Sequence, residues 1–115
     1  MDIMNTRKII YLASPYSNPD DDKRHENFER VSKIAADLCA AGHVAFSPIT
    51  YGHTLLDYKP MPTDWSFWQN FCLTFLEVSD ELHVCKIEGW NHSRGVAEEI
   101  EFAVKNGIEI KYIDC

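Results

Sequence analysis

Several signatures are missing from this chain, and each absence narrows what it can be. Its four cysteines, Cys39, Cys72, Cys85 and Cys115, include no CxxC pair. Three of them sit in apolar or amphipathic runs, which predicts reduced, mostly buried thiols in a cytoplasmic protein. The five histidines, His25, His43, His53, His83 and His92, form no HxxxH or HExxH motif, so metal-ligand spacing is lacking and no metal or cofactor is expected. No apolar run is long enough to span a bilayer, and the N-terminus does not read as a signal peptide. The expectation is a chain that stays in the cytoplasm, away from membranes. Positive charge is also scarce: 11 Lys and Arg against 18 Asp and Glu leave a net charge of −7. That balance argues against a duplex nucleic-acid binder, which needs a basic stripe. A small anionic ligand is still compatible, because backbone dipoles act locally. Repeats and low-complexity tracts are absent too.

What the chain does have is enough length, 115 residues, and enough apolar content, 45%, for one domain over residues 1–115 around one core. The apolar run Lys8–Ala13, stopped by Ser14-Pro15, reads as a buried strand. Asn18-Pro19, followed by Asp20, Asp21 and Asp22, reads as a helix start with Asn as cap. The stripe Phe28, Val31, Ala35 and Leu38 then carries that helix to Gly42. His43–Ser47 is a second strand. Residues 49–62 read as a long loop. Thr63 or Asp64 caps a helix with a broad aromatic face: Trp65, Trp68, Phe71 and Phe75. Glu81–Ile87 is a third strand, Ser93–Lys105 a third helix, and Ile108–Ile113 a last strand. Strands alternating with helices imply a mostly parallel sheet of four or five strands in an α/β three-layer sandwich. Ligands of such folds bind beyond the carboxyl ends of the strands. Those ends are Ser14-Pro15-Tyr16, Ser47-Pro48 and the segment from Gly89 to Ser93.

The segment Trp90–Glu99 carries the sharpest pattern. Ser93-Arg94-Gly95 opens a helix, and Glu99 follows Gly95 by four residues, one helical turn on the same face. Backbone N–H groups at a helix start attract anions. A phosphate or hydroxyl held there, with Glu99 beside it, suits attack on a sugar carbon. Glu99 also fits a Glu-rich surface helix with Glu98 and Glu101, and spacing alone leaves both readings open.

The pieces Tyr11-Leu12-Ala13-Ser14-Pro15-Tyr16, Gly42–Pro48, Pro62-Thr63-Asp64-Trp65-Ser66-Phe67-Trp68 and Gly89–Glu99 together span nearly the whole chain. This spaced set resembles the DUF1937 group within the nucleoside 2-deoxyribosyltransferase and deoxynucleoside 5′-monophosphate N-glycosidase superfamily. The resemblance implies a flavodoxin-like (Rossmann-like) fold, a homodimer or higher homo-oligomer, and chemistry at an N-glycosidic bond with no cofactor. It maps the nucleophile that attacks C1′ onto Glu99, a neighbouring tyrosine onto Tyr11, and a phosphate-holding serine onto Ser93. Many relatives place an Asp in the middle helix to protonate the leaving base. This chain has Cys72 there, with Asn70 nearby, and Asp64 substitutes if the start of that helix faces the crevice.

Around these residues the bland alternatives are packing for Tyr11, a turn for Ser14, Pro15 and Tyr16, and a helix cap for Asp64; His53, in the loop, either contacts a base or is simply solvated, and the solvated reading is favoured. Trp90 either stacks on a base or packs over the third helix. Arg94 meets a phosphate or Glu98. Gly95 belongs to the turn. Two functions remain in view. One is an enzyme, of phage or bacterial origin as the resemblance implies, acting on a nucleoside or its monophosphate. The other is a protein that binds a nucleotide or nucleotide signal without turning it over.

Overall fold

The computed structural model describes residues 7–115. Its elements are β1 (Ile9–Ala13), α1 (Asp21–Ala40), β2 (Val44–Phe46), α2 (Pro48–Leu55), α3 (Trp65–Glu77), β3 (Glu81–Cys85), α4 (Arg94–Lys105) and β4 (Glu109–Ile113), with a 3₁₀ turn at Trp90–His92. The four strands form one all-parallel sheet in the order β2-β1-β3-β4. This is an α/β, flavodoxin-like sandwich.

Both faces of the central strands are covered, which is why β1 reads as an unbroken apolar run, while the buried Glu81 and His83 of β3 satisfy each other across 2.9 Å. Strand residues alternate between faces. Tyr11, Ala13, Leu82 and Val84 point into a core shared with Cys72, Leu76, Val96 and Ala103 of α3 and α4. Ile10, Leu12 and Cys85 pack on the opposite side with Ile87 and with Val31 of α1. The chain runs from β1 outward to β2, then crosses back to β3. The order therefore reverses between β1 and β3, and a crevice opens beyond their carboxyl ends.

Two expected boundaries move. Asn18 does not cap α1; its side-chain oxygen accepts from Asp20 N at 2.9 Å, and Asp20 is the cap, accepting from Asp22 N at 2.9 Å. The expected loop at residues 49–62 contains α2. Ser47 caps it by accepting from Thr50 N at 3.0 Å, and Pro48 opens its first turn, a position where a missing N–H costs nothing. Gly52 in mid-helix hid this element from the sequence. The glycine allows close packing, since a Cβ there would lie 3.3 Å from the Trp68 ring. The thiols also divide differently from expectation: Cys72 and Cys85 are buried, whereas Cys39 and Cys115 are exposed.

Candidate active site

The crevice is a cavity of about 360 Å³. Four segments build it: Ser14, Tyr16 and Ser17 after β1, one wall of α2, the start of α3, and the start of α4 with Glu99.

Glu99 forms the floor. It is 4% exposed, and its carboxylate accepts a hydrogen bond from the Tyr11 hydroxyl. Tyr11 is fully buried on β1, and the β1 strand and α4 are what bring the two together. Burial pushes the Glu99 carboxyl up to about 8, against a smaller opposing effect of the Tyr11 hydrogen bond. Burial also holds the Tyr11 phenol well above its ordinary value, reinforced by the Glu99 and Cys72 charges. Cys72, on α3, lines the cavity too, and burial followed by Glu99 raises its thiol to about 12. Burial thus favours the protonated forms of all three floor groups near neutral pH. A carboxyl of this kind, in a cleft and poised near neutrality, is characteristic of a reacting group.

The adjacent carboxylate has a different fate. Glu98 accepts from Arg94 Nε at 2.8 Å and from Gln69 Nε2 at 2.6 Å. It does not line the cavity, and Glu99 does. The same ion pair turns the Arg94 guanidinium toward Glu98, although the residue contributes to the cavity wall.

The rim holds the other expected residues. Ser93 caps α4, its Oγ accepting from Val96 N at 3.2 Å, so its hydroxyl proton is free to donate into the cavity. Gly95 is required by close approach: a Cβ there would lie 2.9 Å from Trp65. Asp64 stands at the cap position of α3 without a side-chain cap hydrogen bond, and it lines the cavity. Ser14 lines it as well, with a buried Oγ that has no hydrogen-bond partner among the described residues. A buried polar group without a partner asks for one.

Two expected contacts fall outside. Trp90 does not line the cavity; it packs on Tyr112, ring centroids 5.8 Å apart. Pro15 is buried and contributes no lining. In exchange, Trp65 and Trp68 wall the cavity rather than serving only as core or interface, and Trp68 Nε1 is fixed by donating to Pro62 O at 2.8 Å. The α2 wall, with Ile49 and Leu56 beside His53, is the part that the sequence reads as a loop. The Ser47-Pro48 pair was the available signal for it. Among the described residues no His, Cys, Asp and Glu cluster suits a metal ion, and no helix is long and apolar enough to cross a membrane.

Residues 8–114 match the family described as Domain of unknown function (DUF1937). The chain belongs to this family. Its fold is shared with a solved structure of a 2-deoxyribosyltransferase from the psychrotolerant bacterium Bacillus psychrosaccharolyticus, described as a biocatalyst for industrial synthesis of antiviral and antitumoral nucleosides. The two superpose with a TM-score of 0.64 at 24% identity, over 92% of this chain and 72% of that one. A search among curated proteins gives no match. Within the DUF1937 family, then, this chain presents a deoxyribosyltransferase-like fold with a buried, cavity-lining glutamate.

Proposed function

We propose that the protein cleaves or transfers at the N-glycosidic bond of a (deoxy)nucleoside or its 5′-monophosphate, with Glu99 as nucleophile. The observation that carries this reading is that Glu99 is buried, bound by Tyr11 and still open to the cavity. The Glu99 carboxylate attacks C1′, the C1′–N bond breaks, and the base leaves with a proton. Asp64 is the proposed donor of that proton, since it is the other carboxyl among the described residues that line the cavity. The sugar ester on Glu99 then passes to water or to a second base. Tyr11 holds the nucleophile's orientation. Ser14, Ser93, Gly95 and the Arg94 backbone hold the sugar and any 5′-phosphate, and Tyr16 stands on the wall beside His53.

The test is incubation with a panel of nucleosides and 5′-monophosphates, read by chromatography for free base. The wild type releases base, and Glu99→Gln loses at least about a thousandfold in rate, the scale for removing a nucleophile. An active Glu99→Gln alongside an inactive Glu98→Gln would place the nucleophile one residue earlier.

One observation favours a second reading. The buried position near Glu99 on α3 holds a thiol, Cys72, and Asp64 is exposed at the rim. A site without a deep acid suits a protein that binds a nucleotide without cleaving it. Saturable nucleotide binding with no base release from any substrate would select this reading.

We also propose that the chain self-associates. Phe67 and Phe75 of α3 are 49% and 41% exposed, and Tyr51 of α2 is half exposed beside them. Phe75 stacks on Phe46 at 4.6 Å and Tyr51 on Phe71 at 5.9 Å. A continuous aromatic surface of this kind suits an interface. Light scattering at micromolar protein gives a dimer mass or larger; a clean monomer mass overturns the proposal.

A further inference from the structure

His53, on the α2 wall, has an arrangement that the proposed mechanism does not use. Its Nδ1 lies 2.7 Å from the Tyr16 hydroxyl. One face of its ring stacks on Phe28, with centroids 4.2 Å apart and 27° between the planes. His25 lies 5.6 Å from it. Nε2 has no hydrogen-bond partner among the described residues, and His53 lines the same cavity as Glu99. The ring is therefore clamped on one edge and one face, with its other nitrogen uncommitted.

The direction of the hydrogen bond follows from the chemistry of the pair. A phenol O–H is the stronger acid and an unprotonated imidazole nitrogen the better acceptor, so Tyr16 donates its proton to His53 Nδ1. An imidazole that accepts at Nδ1 carries its hydrogen on Nε2. Burial, followed by the His25 charge, lowers the His53 pKa and outweighs Asp57, which raises it. The ring is neutral at neutral pH, with a single fixed N–H donor. Around it the cavity is walled by Pro48, Ile49, Leu56 and the Trp68 ring. Flat apolar walls with one oriented donor suit a heteroaromatic ring, whereas the charged phosphate is better served by the N–H groups at the start of α4.

We propose that His53 is a specificity residue for the base, its Nε2–H donating to a carbonyl oxygen or ring nitrogen on the edge of a heterocycle seated against Ile49, Leu56 and Trp68, with Tyr16 fixing the tautomer. The inference rests on the nucleoside reading given above.

Calorimetric titration separates the two ideas. The probes are thymidine, deoxyadenosine and 2-deoxyribose 5-phosphate, the last having no base. The proteins are the wild type, His53→Ala, His53→Gln and Tyr16→Phe, each checked for native circular dichroism. His53→Ala weakens nucleoside binding about five- to tenfold, the scale of one neutral hydrogen bond, and leaves 2-deoxyribose 5-phosphate unchanged. His53→Gln, which keeps an N–H donor, recovers part of the loss, and Tyr16→Phe shows a smaller loss of the same kind. Unchanged nucleoside affinity in a folded His53→Ala overturns this inference and leaves the nucleoside reading standing. Equal losses for nucleosides and the sugar phosphate overturn it as well. No binding of any probe to the wild type overturns the nucleoside reading and this inference with it.

Discussion

The floor and the rim of the crevice are built on opposite principles. At the floor, Tyr11, Cys72 and Glu99 are removed from water and act on one another, and burial drives all three toward their protonated forms. At the rim, Ser93 and Asp64 sit at helix starts, where backbone N–H groups and solvent supply the partners, and Arg94 is tied to Glu98. In the proposed reaction, chemistry and recognition are thereby separated. The floor holds a carboxyl at a protonation balance that water would never allow, and the rim offers oriented donors at little energetic cost. A folded chain tolerates the first arrangement only because the surrounding core is large enough to offset it.

The sharpest way to break this contrast is to remove the floor's titration. Glu99 has its folded-state pKa raised to about 8. Its favourable contribution is complete below the unfolded-state value of about 4.3 and is lost as pH rises toward 8, because over that window the folded protein binds a proton that the unfolded chain does not. The slope is about 1.4 kcal/mol per pH unit. Glu99→Gln keeps the shape and the acceptor for Tyr11 without this slope. The variant therefore gains on the wild type by a few kcal/mol, roughly 3, between pH 5 and pH 8. Denaturant titrations of both proteins at pH 5, 6.5 and 8 measure it, and parallel stability curves would show that Glu99 is ionised in the folded state.

Floor and rim also differ in how plainly the sequence announces them. Glu99, Ser93 and Gly95 lie within one heptad-length segment, so a single helix start and a single helical turn place them together. The pairing of Tyr11 with Glu99 is separated by 88 residues and was legible only through the family resemblance, since no local pattern encodes which strand lies beneath which helix. The alternation of apolar runs and helical stripes gave the element order and the parallel sheet, because strands buried on both faces leave a strong composition signal. The α2 wall escaped because its cap, proline and mid-helix glycine resemble turn chemistry, and the reason for that glycine, the Trp68 ring, lies sixteen residues downstream. Trp90 stayed open between two readings for a related reason: an aromatic next to a turn at the crevice packs as well on Tyr112 as on a base.

The rim is sharpened by changing its charge without disturbing its helix. Ser93 Oγ accepts from Val96 N at 3.2 Å, and Ala97 N donates to Ser93 O at 3.0 Å. The N–H groups of Arg94 and Gly95 are the remaining unpaired donors of the first turn of α4. They face a region where the serine hydroxyl also donates, and together they suit a phosphate. Each charge-assisted hydrogen bond of this kind contributes about 1.5–3 kcal/mol, so a 5′-monophosphate binds the wild type roughly tenfold to a hundredfold more tightly than its nucleoside. Aspartate caps a helix as well as serine does, so Ser93→Asp retains the fold and its thermal stability. Its carboxylate repels the phosphate and can accept from a sugar hydroxyl, which brings the preference to parity or reverses it. Paired calorimetric titrations of thymidine and thymidine 5′-monophosphate, in wild type and variant, give both ratios. A wild type that binds the two ligands equally would remove the phosphate from the rim and leave the start of α4 to the sugar alone.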